Sequence, residues 1–345
     1  MPDSSTDDSR PCVLVTGGAG YIGSHACEAL ARAGYLPVTY DNLSHGFADM
    51  VRFGPLEEGD IRDKDRLLEV MGRRKPTAIM HFAGLIAVGE SVQDPAIYYD
   101  NNVSGALILM DAARAGGVER IVFSSTAAVY GMPKEQPITE EAAKAPINPY
   151  GRTKLMIEEA LRDYGEAYGI RSVSLRYFNA CGAHPSGEIG EMHDPETHLI
   201  PRALMAAVGD IEAVDLMGQD YPTPDGTAIR DYIHVCDLAD AHAGALRYLE
   251  RGGQTAAFNL GSGSGYSVKE IMDSVARVTG KPAPARYAPR RPGDPPVLVA
   301  DPGLARQELQ FSPKWTDIDA VIDTAWRWAK VRSKAKQRTP AAAAP

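Results

Sequence analysis

Thr16-Gly-Gly-Ala-Gly-Tyr-Ile-Gly23 follows the apolar run Val13-Leu-Val15 and precedes a helix-like stretch, His25 to Ala33. Glycines at 17, 20 and 23 let the chain turn tightly, bring bare backbone against a pyrophosphate, and pack a helix closely on the preceding strand. The helix N-terminus then offers N–H groups and partial positive charge to phosphate oxygens. Asp41 ends the next strand, 18 residues beyond Gly23. A carboxylate there suits the two hydroxyls of an adenosine ribose and repels a 2′-phosphate, so the pattern favours NAD over NADP. The plainer alternative is a glycine turn and a surface acid with no ligand. The strand–loop–helix context weighs against it.

Outward from this loop, short apolar runs alternate with helical stretches. Leu36 to Tyr40, Ala78 to Phe82, Arg120 to Phe123 and Ser172 to Tyr177 read as further strands, with helices over Asn102 to Ala115 and Pro149 to Tyr168. The strands lack polar alternation, as expected of a parallel sheet buried on both faces. The fold class is therefore α/β: a Rossmann-type doubly wound parallel sheet, followed by a smaller α/β C-terminal substrate domain. Gly59-Asp60-Ile61 and His81-Phe82-Ala83-Gly84 fall where later strand ends would line the same crevice. Either run could also be a plain strand terminus. After about residue 180 Gly, Pro and His become frequent, with helices expected over Leu199 to Val208 and Val268 to Thr279 and a Pro- and Arg-rich linker from Lys281 to Pro296. The expected organisation is a polar tail over 1–10, a cofactor domain over 11–180, a substrate domain over 181–330 with segments returning to the first, and a disordered tail over 331–345.

Tyr150-Gly-Arg-Thr-Lys154 sets a phenol and an amine one helical turn apart. A phenol of pKa ~10 must fall by about 3 units, or ~4 kcal/mol, to act as a base near neutrality. One ammonium about 4 Å away in a partly screened site supplies energy of that order. Such a pair can equally decorate a helix surface. Upstream, Ser124-Ser-Thr126 ends a strand with hydroxyls able to bond a substrate oxygen.

These residues, with Gly18 to His25, His81 to Ser91, Arg176 to Gly187 and Gly226 to Val235, resemble the extended short-chain dehydrogenase/reductase family, and within it the UDP-sugar 4-epimerase group, from about residue 11 to about 330. The resemblance implies NAD contacts at Gly17, Gly20, Tyr21, Ile22, Gly23, Asp41, Asn42, Asp60, Ile61, Phe82, Ala83, Gly84, Asn101, Tyr150, Lys154 and Phe178. It implies UDP-sugar contacts at Asn179, His198, Leu199, Arg230, Arg291, Asp294 and Leu298, and a catalytic set of Tyr150, Lys154 and Thr126. Thr126 stands where the family usually has serine, keeping donor and acceptor. His198 replaces an asparagine and Ile86 a lysine, while Leu298 sits where bulk limits N-acetylated sugars. The implied reaction is reversible inversion at C4 of a UDP-hexose, UDP-glucose to UDP-galactose, through a 4-keto intermediate in a homodimer. Open beside it are a 4-epimerase preferring UDP-N-acetylglucosamine or UDP-glucuronate, a nucleotide-sugar 4,6-dehydratase, and a non-enzymatic NAD sensor. The dehydratases carry Asp-Glu after the threonine, where this chain has Ala127-Ala128.

Composition narrows the classes. The 345 residues carry 45 acidic against 36 basic side chains, net −9, which disfavours a nucleic-acid surface. No apolar run reaches the ~18 residues of a membrane span, and the polar start is no signal peptide, so a cytoplasmic location is expected. Cys12, Cys27, Cys181 and Cys236 show no metal-ligand spacing and read as reduced thiols. His193 and His198 have the wrong spacing for one helix face, so their segment reads as a polar loop and no metal is expected.

Overall fold

A computed structural model describes residues 9–290 and 294–338, with side chains through 333. In chain order, β1 (Cys12–Thr16), α1 (Tyr21–Arg32), β2 (Leu36–Asp41), β3 (Leu56–Glu58), α2 (Lys64–Arg74) and β4 (Ala78–His81) lead to α3 (Val88–Gln93), α4 (Pro95–Tyr98), α5 (Gly105–Ala115), β5 (Arg120–Ser124), α6 (Pro149–Tyr168) and β6 (Arg171–Tyr177). Then come β7 (Asn179–Cys181), α7 (Leu199–Val208), β8 (Val214–Met217), β9 (Ile229–His234), α8 (Val235–Glu250), β10 (Ala256–Leu260), β11 (Gly265–Ser267) and α9 (Val268–Thr279). The chain finishes with β12 (Ala285–Ala288), β13 (Val297–Leu298), α10 (Gly303–Leu309) and α11 (Ile318–Arg338).

A seven-stranded sheet has the order β10-β6-β5-β4-β1-β2-β3. Each neighbouring pair from β6 to β3 runs parallel. β1 is buried at every position, which explains its continuous apolar run. The strand order reverses between β1 and β4, and such a reversal opens a ligand crevice beyond the strands' carboxyl ends. The glycine loop lies at that point.

Two compact units divide the chain: Met1–Ser125 with Asn148–Leu175 and His242–Ala257, and Thr126–Ile147 with Arg176–Ala241 and Phe258–Pro345. Leu14, Val38, Ile79, Ile121 and Phe123 of the sheet and Leu67, Leu109, Met110, Ile157 and Leu161 of the helices build the core of the first. Met110 and Ile157 are thus core residues, whereas Leu107 of the same helical face region is exposed. The core of the second unit joins Ile200 and Leu204 of α7, Val214 and Leu216 of β8, and Ile271, Val275 and Ile322.

Three local readings differ from the structure. The stretch read as one helix from Asn102 begins as a π-helical turn, Tyr99–Ser104, before α5, a widening that no sequence period announces. The Pro- and Arg-rich segment carries β12, paired in parallel with β8, and leads into β13, paired with β9, so it is sheet-bound rather than a linker. Helix α11 runs to Arg338, into the stretch read as tail. The ends of α6 follow the expected chemistry: Asn148 Oδ1 accepts Gly151 N–H at 2.8 Å, Pro149 takes the first turn, and Gly169 closes the helix at φ 75°.

β9 organises the second unit by side-chain alternation. Arg230 and Tyr232 share one face, with Leu298 beside Arg230 and Asn179 beside Tyr232 in parallel register. Asp231 points the other way, is fully buried, and accepts from Ser262 N–H and Oγ–H at 2.7 Å and from Gly263 and Ala300 N–H at 3.1 Å. We predict that Asp231→Asn, which turns half of that acceptor into a donor facing donors, costs at least about 2 kcal/mol. A urea midpoint unchanged from wild type would contradict this role.

Candidate functional site

In the first unit the loop after β1 is built by close approach. A Cβ on Gly17 would meet Ala83 N at 2.5 Å, and one on Gly23 would meet Gly17 O at 2.2 Å. Gly17 also takes a φ of 74°, which disfavours any side chain. Phe82 and Ala83 N–H both donate to Thr16 O, at 2.8 and 3.0 Å, tying the end of β4 to the end of β1. Gly20 is the N-cap of α1 with no side-chain cap, and Tyr21 and Ile22 open the helix. This leaves the bare, positively polarised cradle that a pyrophosphate needs.

Asp41 ends β2, buried, with Oδ2 accepting Ala19 N–H at 3.0 Å and Oδ1 accepting Leu43 N–H at 2.9 Å. Burial raises its pKa, against those two bonds. A carboxylate has about four acceptor positions, so it retains capacity for ribose hydroxyls. The donor set and the cradle fit NAD.

Asp60 follows β3 and is more committed. Its oxygens accept Arg62 N–H and Nε–H at 2.8 and 2.9 Å, Arg62 Nη2–H at 2.8 Å and Asn42 Nδ2–H at 2.9 Å. The Arg62 bonds hold its carboxyl far below the usual range. Arg62 was not singled out from sequence; its position two residues after Asp60 was the available signal. Ile61 is buried in the first unit's core. Phe82 packs its ring 4.7 Å from that of His242.

Lys154 projects from α6 into the interior, 3% exposed, and donates to Ser124 O at 2.9 Å. Its Nζ lies 4.9 Å from the Phe123 ring centroid and 5.9 Å from that of Tyr150. Burial lowers the amine to about 8, opposed by the Glu158 charge. An ammonium facing that ring favours the phenolate form over the neutral phenol. His81, buried between Thr16 and Phe123, bonds Thr16 Oγ1 through Nδ1 at 2.7 Å. Burial, then the Lys154 charge, lowers it to about 3, so it adds no cation.

Asn101 lies in the π-helical turn and donates to Asn102 Oδ1 at 2.9 Å. Asn102, buried and unflagged by the sequence reading, holds Leu85 by accepting its N–H at 2.8 Å and donating to its O at 3.0 Å. A Cβ on Gly84 would come within 3.6 Å of Lys154 Nζ, so the missing side chain leaves the amine's surroundings open.

The second unit holds the remaining candidates. Thr126 caps a short 3₁₀ turn, Ala127–Tyr130, its Oγ1 accepting Ala128 N–H at 3.1 Å while the hydroxyl proton stays available to donate. Arg230 Nη2 pairs with Asp294 Oδ1 at 2.6 Å, and Tyr221 donates to Asp294 Oδ2 at 3.2 Å. Arg290 stacks 4.3 Å over the Tyr221 ring. Arg291 lies outside the described residues. Phe178 links β6 to β7, Asn179 opens β7, Leu298 closes β13, and Leu199 opens α7 with His198 as its N-cap. Although burial opposes charge on His198, the carboxylates of Glu191 and Glu196 at its Nδ1 raise it to about 10.

Among the described residues no helix is long and apolar enough to cross a membrane, and none of the four cysteines is in a disulfide. A parallel sheet reversing over a glycine cradle, with an acid closing the second strand, defines a Rossmann-type dinucleotide-binding protein. The chain belongs to the NAD dependent epimerase/dehydratase family, whose model matches residues 13–261. It is 55% identical over 322 residues to the UDP-glucose 4-epimerase of Rhizobium meliloti (strain 1021), covering 93% of this chain and 98% of that one. Among solved structures it resembles UDP-glucose 4-epimerase from Brucella ovis in complex with NAD (54% identity, TM-score 0.90, 92% and 97% of the two chains). It also resembles the Bifidobacterium longum enzyme in complex with NAD+ and UDP (39%, TM-score 0.89, 93% and 99%).

The Lys154 amine has a folded-state pKa near 8 against an ordinary 10.5, so between those values the folded chain binds fewer protons than the unfolded one. Stability from this residue therefore rises from pH ~8 to ~10.5 and is flat below that window. Lys154→Met lacks the rise. Its melting temperature relative to wild type should be highest at pH 7 and lower at pH 10; a constant gap would contradict the depressed pKa.

Proposed function

We propose that the chain interconverts UDP-glucose and UDP-galactose by inverting C4, using bound NAD. The observation carrying this is the buried Lys154 amine on the same helix as Tyr150 beside an NAD-type cradle in the first unit; in the second unit, Arg230 and Asn179 lie on one sheet face. The names and ligands of the 39–55% identical relatives support the UDP-hexose assignment.

In this reading Tyr150 holds and moves the proton of the 4-hydroxyl, and the Thr126 hydroxyl donates to the same oxygen. The Lys154 ammonium favours the ionised form of the Tyr150 phenol. NAD, when bound, supplies a hydride acceptor and donor at the sugar carbon and its positive ring adds to the lysine's field. Gly17, Gly20, Tyr21, Ile22, Gly23, Asp41, Asn42, Asp60, Ile61, Phe82, Ala83, Gly84, Asn101 and Phe178 would hold it. The sugar must present both faces of C4, so binding energy belongs on the UDP moiety, through Asn179, Leu199, Arg230, Arg291 and Asp294. Guanidinium groups match phosphate oxygens in geometry and charge. The sugar itself is left free to turn.

Ala127 and Ala128 offer no carboxylate for water elimination, which disfavours a 4,6-dehydratase. A homodimer is part of the proposal: α5 and α6 expose Leu107 and Met156, apolar groups suited to a self-complementary contact. Four cysteines outside any disulfide fit a reducing, cytoplasmic compartment.

Tyr150→Phe should lower kcat for UDP-galactose formation at least about 100-fold with the melting temperature preserved. Near-normal turnover would remove Tyr150 as the proton carrier. In a panel of UDP-glucose, UDP-N-acetylglucosamine and UDP-glucuronate with product sugars resolved, UDP-glucose should give the highest kcat/KM. A preference for either other sugar would replace the substrate assignment.

A further inference from the structure

The loop before α7 draws together four side chains that the C4 chemistry does not require as a group. Nδ1 of His198 lies 2.9 Å from Glu191 Oε1 and 3.2 Å from Glu196 Oε1. Nδ1 of His193 lies 3.3 Å from Glu196 Oε2 and 3.5 Å from Glu191 Oε1. One ligand atom from each residue falls within 4.8 Å of all the others. Sequence spacing argued against a site only if the segment were helical. It is an irregular loop, so helical spacing does not apply.

We propose that Glu191, His193, Glu196 and His198 form a binding site for one divalent transition-metal ion, zinc first among them. A four-coordinate ion with bonds of about 2.1 Å has ligand–ligand edges of about 3.4 Å; the N···O separations, with Glu196 turning one oxygen to each imidazole, run from 2.9 to 3.5 Å. Glu191 Oε1 is buried and accepts no hydrogen bond, although His198 Nδ1 is 2.9 Å away. A cavity of about 30 Å³ bordered by Glu191 and His198 adjoins the cluster. That volume holds a water or an ion and little more.

The donor set and its support suit the assignment. An ion displaces the proton held between His198 and its carboxylates, after which two carboxylates and two imidazoles balance a divalent charge, and mixed N/O ligation favours zinc over the oxygen-seeking magnesium and calcium. Glu196 is pre-oriented, because Thr197 and His198 N–H both donate to its Oε1 at 2.8 Å. Glu191 is anchored through its carbonyl, which accepts Trp328 Nε1–H at 2.8 Å. Such outer contacts fix ligand direction and raise affinity. The His198 side chain is 42% exposed, which gives an ion an entry path. The ion would act as a staple on the turn that leads into Leu199 and α7.

The test uses the full-length protein, stripped with a chelator and dialysed into metal-free buffer, then titrated with ZnCl₂ by calorimetry and with CoCl₂ by visible spectroscopy. One zinc per chain should bind, raising the melting temperature, and cobalt should give the intense visible bands of a four- or five-coordinate site that zinc then displaces. His193→Ala and Glu196→Gln should each weaken zinc at least about tenfold and lose the thermal gain. Absence of stoichiometric binding, or unchanged affinity in both variants, would overturn the site. If both variants fail to fold, the wild-type cobalt spectrum decides: a weak octahedral aquo-type spectrum would overturn it.

Discussion

The structure of the first unit depends on a contact that tolerates no side chain. Gly23 meets the Gly17 carbonyl and Gly17 meets the Ala83 amide at distances below those any Cβ allows. These approaches press α1 against the end of β1 and bring the end of β4 alongside, at the point where the strand order reverses. The helix terminus and the strand ends thereby face one crevice. Asp41, Asp60, Phe82 to Gly84 and Ser124 reach that edge because they end β2, β3, β4 and β5 or follow them directly.

Charge is managed locally throughout. The chain is net negative, yet among the described residues Lys154 has a carbonyl and the Glu158 charge as counterparts, Arg230 the Asp294 carboxylate and Arg62 the carboxylate of Asp60. Burial pulls the Lys154 amine toward neutrality against the Glu158 charge. Arg230 is held in place before any phosphate arrives, so little side-chain entropy remains to be lost on binding.

β9 shows how one strand serves two purposes. Arg230 and Tyr232 face Leu298 and Asn179, and Asp231 between them gathers the loop at Ser262 and Gly263 with Ala300. The period of two along a strand separates recognition from scaffolding within three consecutive residues. In the first unit the π-helical turn has a comparable role. It carries Asn102, whose amide holds Leu85 next to the Gly84 opening.

Much was legible in the amino-acid order alone. The alternation of apolar runs with helical stretches determined the parallel sheet, and the glycine triplet followed by Asp41 determined the cofactor class, because both depend on near-neighbour constraints of turn, strand and cap. The Tyr150/Lys154 pairing was legible for the same reason, being one helical turn. Partnerships across long separations were not. That Asp60 is bonded by Arg62 and Asn42, that Asn102 supports Leu85, and that Asp231 bonds residues around 262 and 300 depends on how distant segments pack. The cluster at 191–198 is close in sequence, yet its convergence rests on an irregular loop with no period to read. Local pattern decided which elements form; only tertiary packing decided which polar atoms meet, because burial removes water as the alternative partner.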